Sequence, residues 1–188
     1  MLKGIEEFGR YVAIVGFKDA KIDDAKDFLD TMHKEGESKV EAQFFDATVI
    51  ATWEHLYFAV LNALTAFANG ENISKSLAVE TLLYASTQHQ IQKAMELIGI
   101  NRNSSQVAVL AVGEKPEDVN STLAIVSKRI NGKEDDSVLE LTKEKMAIIQ
   151  KTFGISDLEI KTVIKKNNSK RALTDIVIER MALLATQH

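Results

Sequence analysis

Apolar residues run almost without a break from Arg10 to Phe17 (RYVAIVGF), the mark of a strand covered on both faces. Behind it, Ile22, Ala25, Phe28, Leu29 and Met32 recur at helical spacing and predict a first helix. Val40–Phe45 alternates, with Val40, Ala42 and Phe44 on one face and Glu41 and Gln43 on the other, so a half-buried strand is expected. The chain is then mostly apolar from Ala47 to Ala68, about the length that spans a bilayer. Glu54, His55 and Asn62 would each be costly in hydrocarbon. Thr48, Thr52, His55, Ala59, Asn62, Ala66 and Asn69 recur at 4-3-4-3 spacing, one narrow stripe on an otherwise apolar helix. A helix buried in the protein, with Asp46 as its N-cap, explains this better than a membrane span.

Two shorter helical patterns follow, with a seam at Ser86–Thr87. In the second, Ile91, Ala94, Met95 and Ile98 fall on one face, and Gly99 stands where a C′ glycine closes a helix. Ser105–Gly113 is a further apolar strand. Pro116 opens a helix at the position where a missing N–H costs nothing, and Val119, Leu123, Val126 and Ile130 face inward. Gly132–Ser137 (GKEDDS) reads as a polar connector. One helix is expected over Thr142–Phe153, and Ser156 with Glu159 matches a capping box. A last helix begins near Ser169, with Leu173, Ile176, Val177, Met181 and Leu184 in line. Ile178, Ala182 and Ala185 form a second apolar line on it, the kind of surplus that suits docking as well as deeper burial. The class is therefore α/β (α+β): a single domain, residues 1–188, with a small mixed or antiparallel sheet covered by several helices and a helical C-terminal part.

Composition changes this little. Apolar residues make up 45% and charged residues 27%, an ordinary globular balance. No cysteine is present, which removes disulfides, thiolate metal sites and a cysteine nucleophile together. The opening MLKGIEEFGRY has no signal-peptide pattern, so a cytoplasmic location is the expectation. The net charge of −4 speaks against a general polyanion binder, although Lys161–Thr174 holds five basic residues and no acidic one. That run can serve a phosphate backbone or be a solvated surface.

Catalytic signatures are missing: no G-x-G-x-x-G, no P-loop, no G-x-S-x-G elbow and no H-E-x-x-H. His33, His55, His89 and His188 have no metal-ligand spacing, so no metal, cofactor or catalytic residue is expected. The carboxylate pairs Asp23–Asp24 and Asp135–Asp136 lie in charged surface segments, and Trp53 with Tyr57, one helical turn apart, suits core packing. His55 suits a hydrogen-bonded structural histidine. The seam Ser86-Thr87-Gln88-His89-Gln90 places five uncharged polar side chains at a helix start, where free backbone N–H groups favour an anion. Ser86 or Thr87 could equally be capping the helix that follows.

The stretch Leu77–Ile100 (LAVETLLYASTQHQIQKAMELIGI) carries more information. A helix ending in E-x-L-L-Y-A-S, a polar turn, a Q-I pair, an amphipathic helix and a G-I stop resemble the smallest widely shared subunit of the KEOPS complex, the PRPK-binding protein family. The resemblance implies a non-catalytic accessory subunit of the tRNA threonylcarbamoyladenosine-modification complex. It implies binding to the small lobe of the kinase-like ATPase subunit and to the single-stranded 3′ CCA end of tRNA, with no membrane association. Splayed bases need polar pockets and phosphates need cations. On that basis the tRNA-binding residues are expected to be Asn72, Ser74, Lys75, Tyr84, Ser86, Thr87, Gln88, His89, Gln90, Lys93, Lys165, Lys166, Lys170 and Arg171. The partner-binding residues are expected to be Ile155, Ile178, Ala182 and Ala185. One departure is His89, where the resemblance leads to an expectation of arginine. Two other readings stay open: a purely structural interaction module, and a small-molecule enzyme built around His55.

Overall fold

The computed structural model describes residues 2–35, 39–164 and 168–184. Its centre is an antiparallel sheet in the order β1-β2-β4-β3, formed by Leu2–Ile5, Arg10–Lys18, Val107–Gly113 and Val40–Asp46. The pairing is long: Tyr11–Phe17 runs opposite Gly113–Val107, which in turn faces Val40–Asp46. A two-residue strand β5, Lys133–Glu134, pairs with the far end of β2. The sheet is antiparallel, and its two central strands are apolar over Val12–Phe17 and Val107–Gly113 because both faces are covered there.

Alternation along β4 shows how. Ala108, Leu110 and Val112 join one core, with Val12, Ile14 and Phe45. Val107 and Val109 point the other way with Val15, Phe17 and Phe44, and Ala111 with Ala13. That second face carries only α1 (Ala25–Glu35) and α5 (Pro116–Arg129). The first face carries the helical layer: α2 (Trp53–Asn69), α3 (Leu77–Ser86), α4 (Ile91–Ile98), α6 (Lys143–Phe153), α7 (Asp157–Val163) and α8 (Ser169–Leu184). The expected α+β class, the antiparallel sheet and the helical C-terminal part are all present. So are the N-terminal Pro116 of α5 and the complete Ser156–Glu159 capping box of α7.

Four local expectations are corrected. β3 is not half-buried. Phe45 is fully covered, while Gln43 donates to the Met95 sulfur and Glu41 accepts from the Ser76 hydroxyl (2.6 Å) and the Ala78 N–H (3.0 Å). The polar residues at positions 41 and 43 are hydrogen-bonded into the helical layer, so alternation alone misreads their face. Asp46 does not cap α2. It caps a 3-10 turn, Ala47–Val49, by accepting from the Thr48 N–H (3.0 Å) and hydroxyl (2.6 Å), and Thr52 holds the N-cap position of α2 without capping it.

Gly99 is extended (φ −71°), so it serves close approach and not left-handed geometry. A Cβ there would lie 2.5 Å from the Met95 carbonyl oxygen. Gly132–Ser137 is no free connector. The Asp135 N–H donates to the Gly16 carbonyl (2.8 Å), the Gly16 N–H to the Asp136 carboxylate (2.9 Å), and Lys18 pairs with Asp135. Gly16 permits this crossing, since a Cβ would meet Val138 Cγ2 at 2.5 Å.

Candidate functional site

Three helix ends meet at one edge of the helical layer, joined by two side chains of α2. His55 is fully buried. Its Nδ1 accepts from the Ala51 N–H (3.2 Å), which fixes the proton on Nε2, and Nε2–H donates to the Ala85 carbonyl (2.8 Å) near the end of α3. One residue earlier, Glu54 receives both its contacts from the Arg171 guanidinium (2.9 and 3.0 Å), at the start of α8. The N-terminus of α2, the C-terminus of α3 and the N-terminus of α8 are thereby held together.

Burial lowers the His55 pKa from the ordinary value to about 4, aided by the charge of Lys145 and opposed by the Ala85 hydrogen bond. With both ring nitrogens engaged, His55 offers no lone pair or proton to a substrate. Among the described residues no group of histidines and carboxylates could hold a metal ion.

From this edge the turn between α3 and α4 projects outward. Thr87 takes the left-handed conformation (φ 55°), unusual for a β-branched residue. Its N–H and that of Gln88 close α3 onto the carbonyls of Tyr84 (3.0 Å) and Leu83 (3.1 Å). The turn tightens so that Gln88 is half-buried while His89, Gln90, Ile91, Gln92 and Lys93 are exposed. Gln90 is the N-cap residue of α4 without a side-chain cap, and the first helical bond is Ala94 N–H to the Gln90 carbonyl (3.0 Å). The N–H groups of the first turn of α4, which ends in exposed Lys93, precede that bond, and a helix start of this kind suits phosphate or carbonyl oxygens.

The structure sorts the sequence-expected residues into groups. His89, Gln90 and Lys93 are exposed on the turn and Gln88 is half-buried there, while Lys170 and Arg171 are exposed at the start of α8. Ser86 is corrected: it is 0% exposed, and its hydroxyl donates back to the Leu83 carbonyl (3.0 Å), so it reaches neither a ligand nor the α4 N-terminus. Tyr84 is corrected as well, because its ring is part of the core and cannot stack on a base. Thr87 acts through its backbone, as a C-cap of α3 and not as an N-cap of α4.

Asn72, Ser74 and Lys75 belong to the loop before α3, at the opposite end of a ten-residue helix, about 15 Å away. There Asn72 donates to the Ser74 carbonyl (2.9 Å), and the Ser74 N–H to buried Glu80 (2.7 Å), so both hold the loop together. Lys165 and Lys166 lie outside the described residues, as does Ala185.

For the expected partner surface, Ile155 is only 4% exposed and packs in the core, so it drops out. Ile178 is half-buried and Ala182 exposed. They continue the line Arg171–Asp175 along one face of α8, since 171, 175, 178 and 182 are spaced at 4, 3 and 4. Arg171 also pairs with Asp175 at 2.8 Å.

Sequence reading missed two features. Lys3 on β1 sits 4.5 Å above the Trp53 ring and 4.9 Å from that of Tyr57, so this half-exposed aromatic pair is capped by a cation. No local pattern links residue 3 to residue 53. Lys145 is buried although helical spacing alone gives no reason to place a lysine inward.

The family model described as Kinase binding protein CGI-121 matches residues 18–185. "Regulatory protein Cgi121" of Methanocaldococcus jannaschii is 33% identical over 113 residues, covering 60% of this chain and 70% of that protein. The match takes in every helix of the layer and four of the five strands in whole or part, and with it the chain belongs to the CGI-121 family of kinase-binding proteins.

Proposed function

We propose that this chain is a non-catalytic accessory subunit of the KEOPS tRNA threonylcarbamoyladenosine-modification complex. It would bind the kinase-like ATPase subunit with one surface and capture the 3′ CCA end of tRNA with another. The kinase partner follows from the family to which the chain belongs. The tRNA reading rests on the resemblance of Leu77–Ile100 together with one structural observation. The His55–Ala85 and Glu54–Arg171 hydrogen bonds tie the end of α3, from which the turn Gln88–Lys93 follows, and the start of α8 to the same first turn of α2.

That edge has the parts single-strand capture needs. Amide and imidazole side chains can meet base edges, outward N–H groups and Lys93 can meet phosphate, and Lys170 extends the cationic rim. Arg171 contributes less to phosphate than its charge suggests, because Glu54 and Asp175 neutralise it. Ile178 and Ala182, farther along the same face of α8, are the proposed contact for the kinase-like subunit.

The two surfaces are separable by mutation. Gln88→Ala, His89→Ala and Gln90→Ala together should weaken tRNA binding at least tenfold, measured by fluorescence anisotropy, with the thermal midpoint unchanged. Ile178→Asp should abolish co-purification with the kinase-like subunit and spare tRNA binding. Unchanged affinity in the triple variant removes the turn as the capture site. Loss of both activities in Ile178→Asp places that residue in the core instead.

A further inference from the structure

Beyond the tRNA and kinase surfaces lies a half-enclosed cavity of about 340 Å³, between the 3-10 turn Asp136–Leu139 and the first turn of α6. Lys145 lines it. This lysine is only 6% exposed, and its ammonium donates to a single acceptor, the Val138 carbonyl (2.6 Å). An ammonium has three donors, and among the described residues this one meets no second hydrogen-bond acceptor. A buried cation satisfied this poorly is costly, and nearby Asp46 offsets only part of the cost.

The rest of the lining narrows the chemistry. Lys18 and Asp135 pair with one another (2.5 Å) and cancel. Glu144 is engaged by the Thr142 hydroxyl and its own N–H. Glu140, exposed at the lip, supplies a negative charge opposite in sign to the floor. Between them stand the neutral polar groups Thr48, Gln106 and Ser137. Val138 and Ile148 add apolar wall that suits a short carbon frame, and a simple anion meets the acidic lip. A molecule carrying a carboxylate for Lys145, an ammonium for Glu140 and a short polar group for the wall matches all three.

We infer that this cavity binds a small polar α-amino acid in its zwitterionic form, with the carboxylate on Lys145 and the amino group at Glu140. None of the residues lining the cavity lies on the exposed turn or on α8, although Glu140 at its lip also borders Lys170 and Arg171.

The test is thermal shift and calorimetry on the full chain with L-serine, L-asparagine and L-glutamine. The half-ligands 3-hydroxypropanoate and ethanolamine, each with one of serine's two charges, serve as controls. At 10 mM at least one amino acid should raise the midpoint by about 3 °C, as a ligand well above its Kd does. Both half-ligands should leave it unchanged. Glu140→Gln, on the exposed lip, should fold normally and lose the response. Lys145→Met keeps the buried stem, loses the charge and should lose it too. A response equal with 3-hydroxypropanoate, a response that persists in Glu140→Gln, or no response to any of the three amino acids would overturn the inference.

Discussion

His55 ties the loop before α2 to the end of α3 through a donor and an acceptor that water cannot reach. Removing the ring leaves the Ala51 N–H and the Ala85 carbonyl unpaired and opens a void. His55→Ala should therefore cost about 3 kcal/mol in urea unfolding at pH 7. The ring also makes stability depend on pH. Its folded pKa of about 4 lies below the ordinary 6.5, so the unfolded chain takes up the proton first as pH falls. The contribution is intact above pH 6.5 and lost as pH drops toward 4, a fall of about 3 kcal/mol from this group. Urea midpoints at pH 7 and pH 4.5 should diverge in the native chain and diverge less in His55→Gln. Thr87 is the second decisive residue. Its left-handed backbone strains a β-branched side chain, so Thr87→Gly should stabilise the fold by about 1 kcal/mol while keeping the turn.

At the scale of elements, what was legible in the sequence was mostly what repeats. Strands β2 and β4, the amphipathic α4 and the Ser156–Glu159 capping box are periodic or local signals and reappear in the structure with nearly the expected ends. What was not legible depends on contacts distant in sequence. Glu41 and Gln43 look outward until Ser76, Ala78 and Met95 are brought against them. Gly132–Ser137 looks like a free loop until Gly16 bonds to both Asp135 and Asp136. The polar seam after α3 is exposed from His89 to Lys93, but Ser86 and Tyr84, expected to face a ligand, are buried. A helix of low amphipathicity such as α3, buried nearly all round, offers no periodicity to show which way a side chain points. The β2 crossing gives its own test. Gly16→Ala places a Cβ against Val138 and the Asp135 carbonyl, and should destabilise the fold by about 2 kcal/mol in urea unfolding.

At the scale of the whole molecule, the proposed function asks an acidic chain of net charge −4 to bind a polyanion through a few exposed cations such as Lys93 and Lys170. Such a site holds few phosphates, so its salt dependence should be shallow. With about three phosphate contacts to single-stranded RNA, affinity should fall roughly twentyfold between 50 and 200 mM salt, far less than for a basic groove. The proposed tRNA and kinase contacts also share one face of α8, with Arg171 toward its start and Ile178 and Ala182 farther along. That places the two proposed partners side by side without requiring either to displace the other.

The central claim, capture of a single-stranded tRNA end by the turn after α3, is tested most directly by titrating the purified chain with intact tRNA and with the same tRNA lacking its CCA, at 50 and 200 mM salt. The account predicts binding to the intact tRNA at both concentrations and loss of at least tenfold in affinity when CCA is removed. Equal affinity for the two tRNAs, with a steep salt dependence, would contradict it and leave only nonspecific attraction between charges.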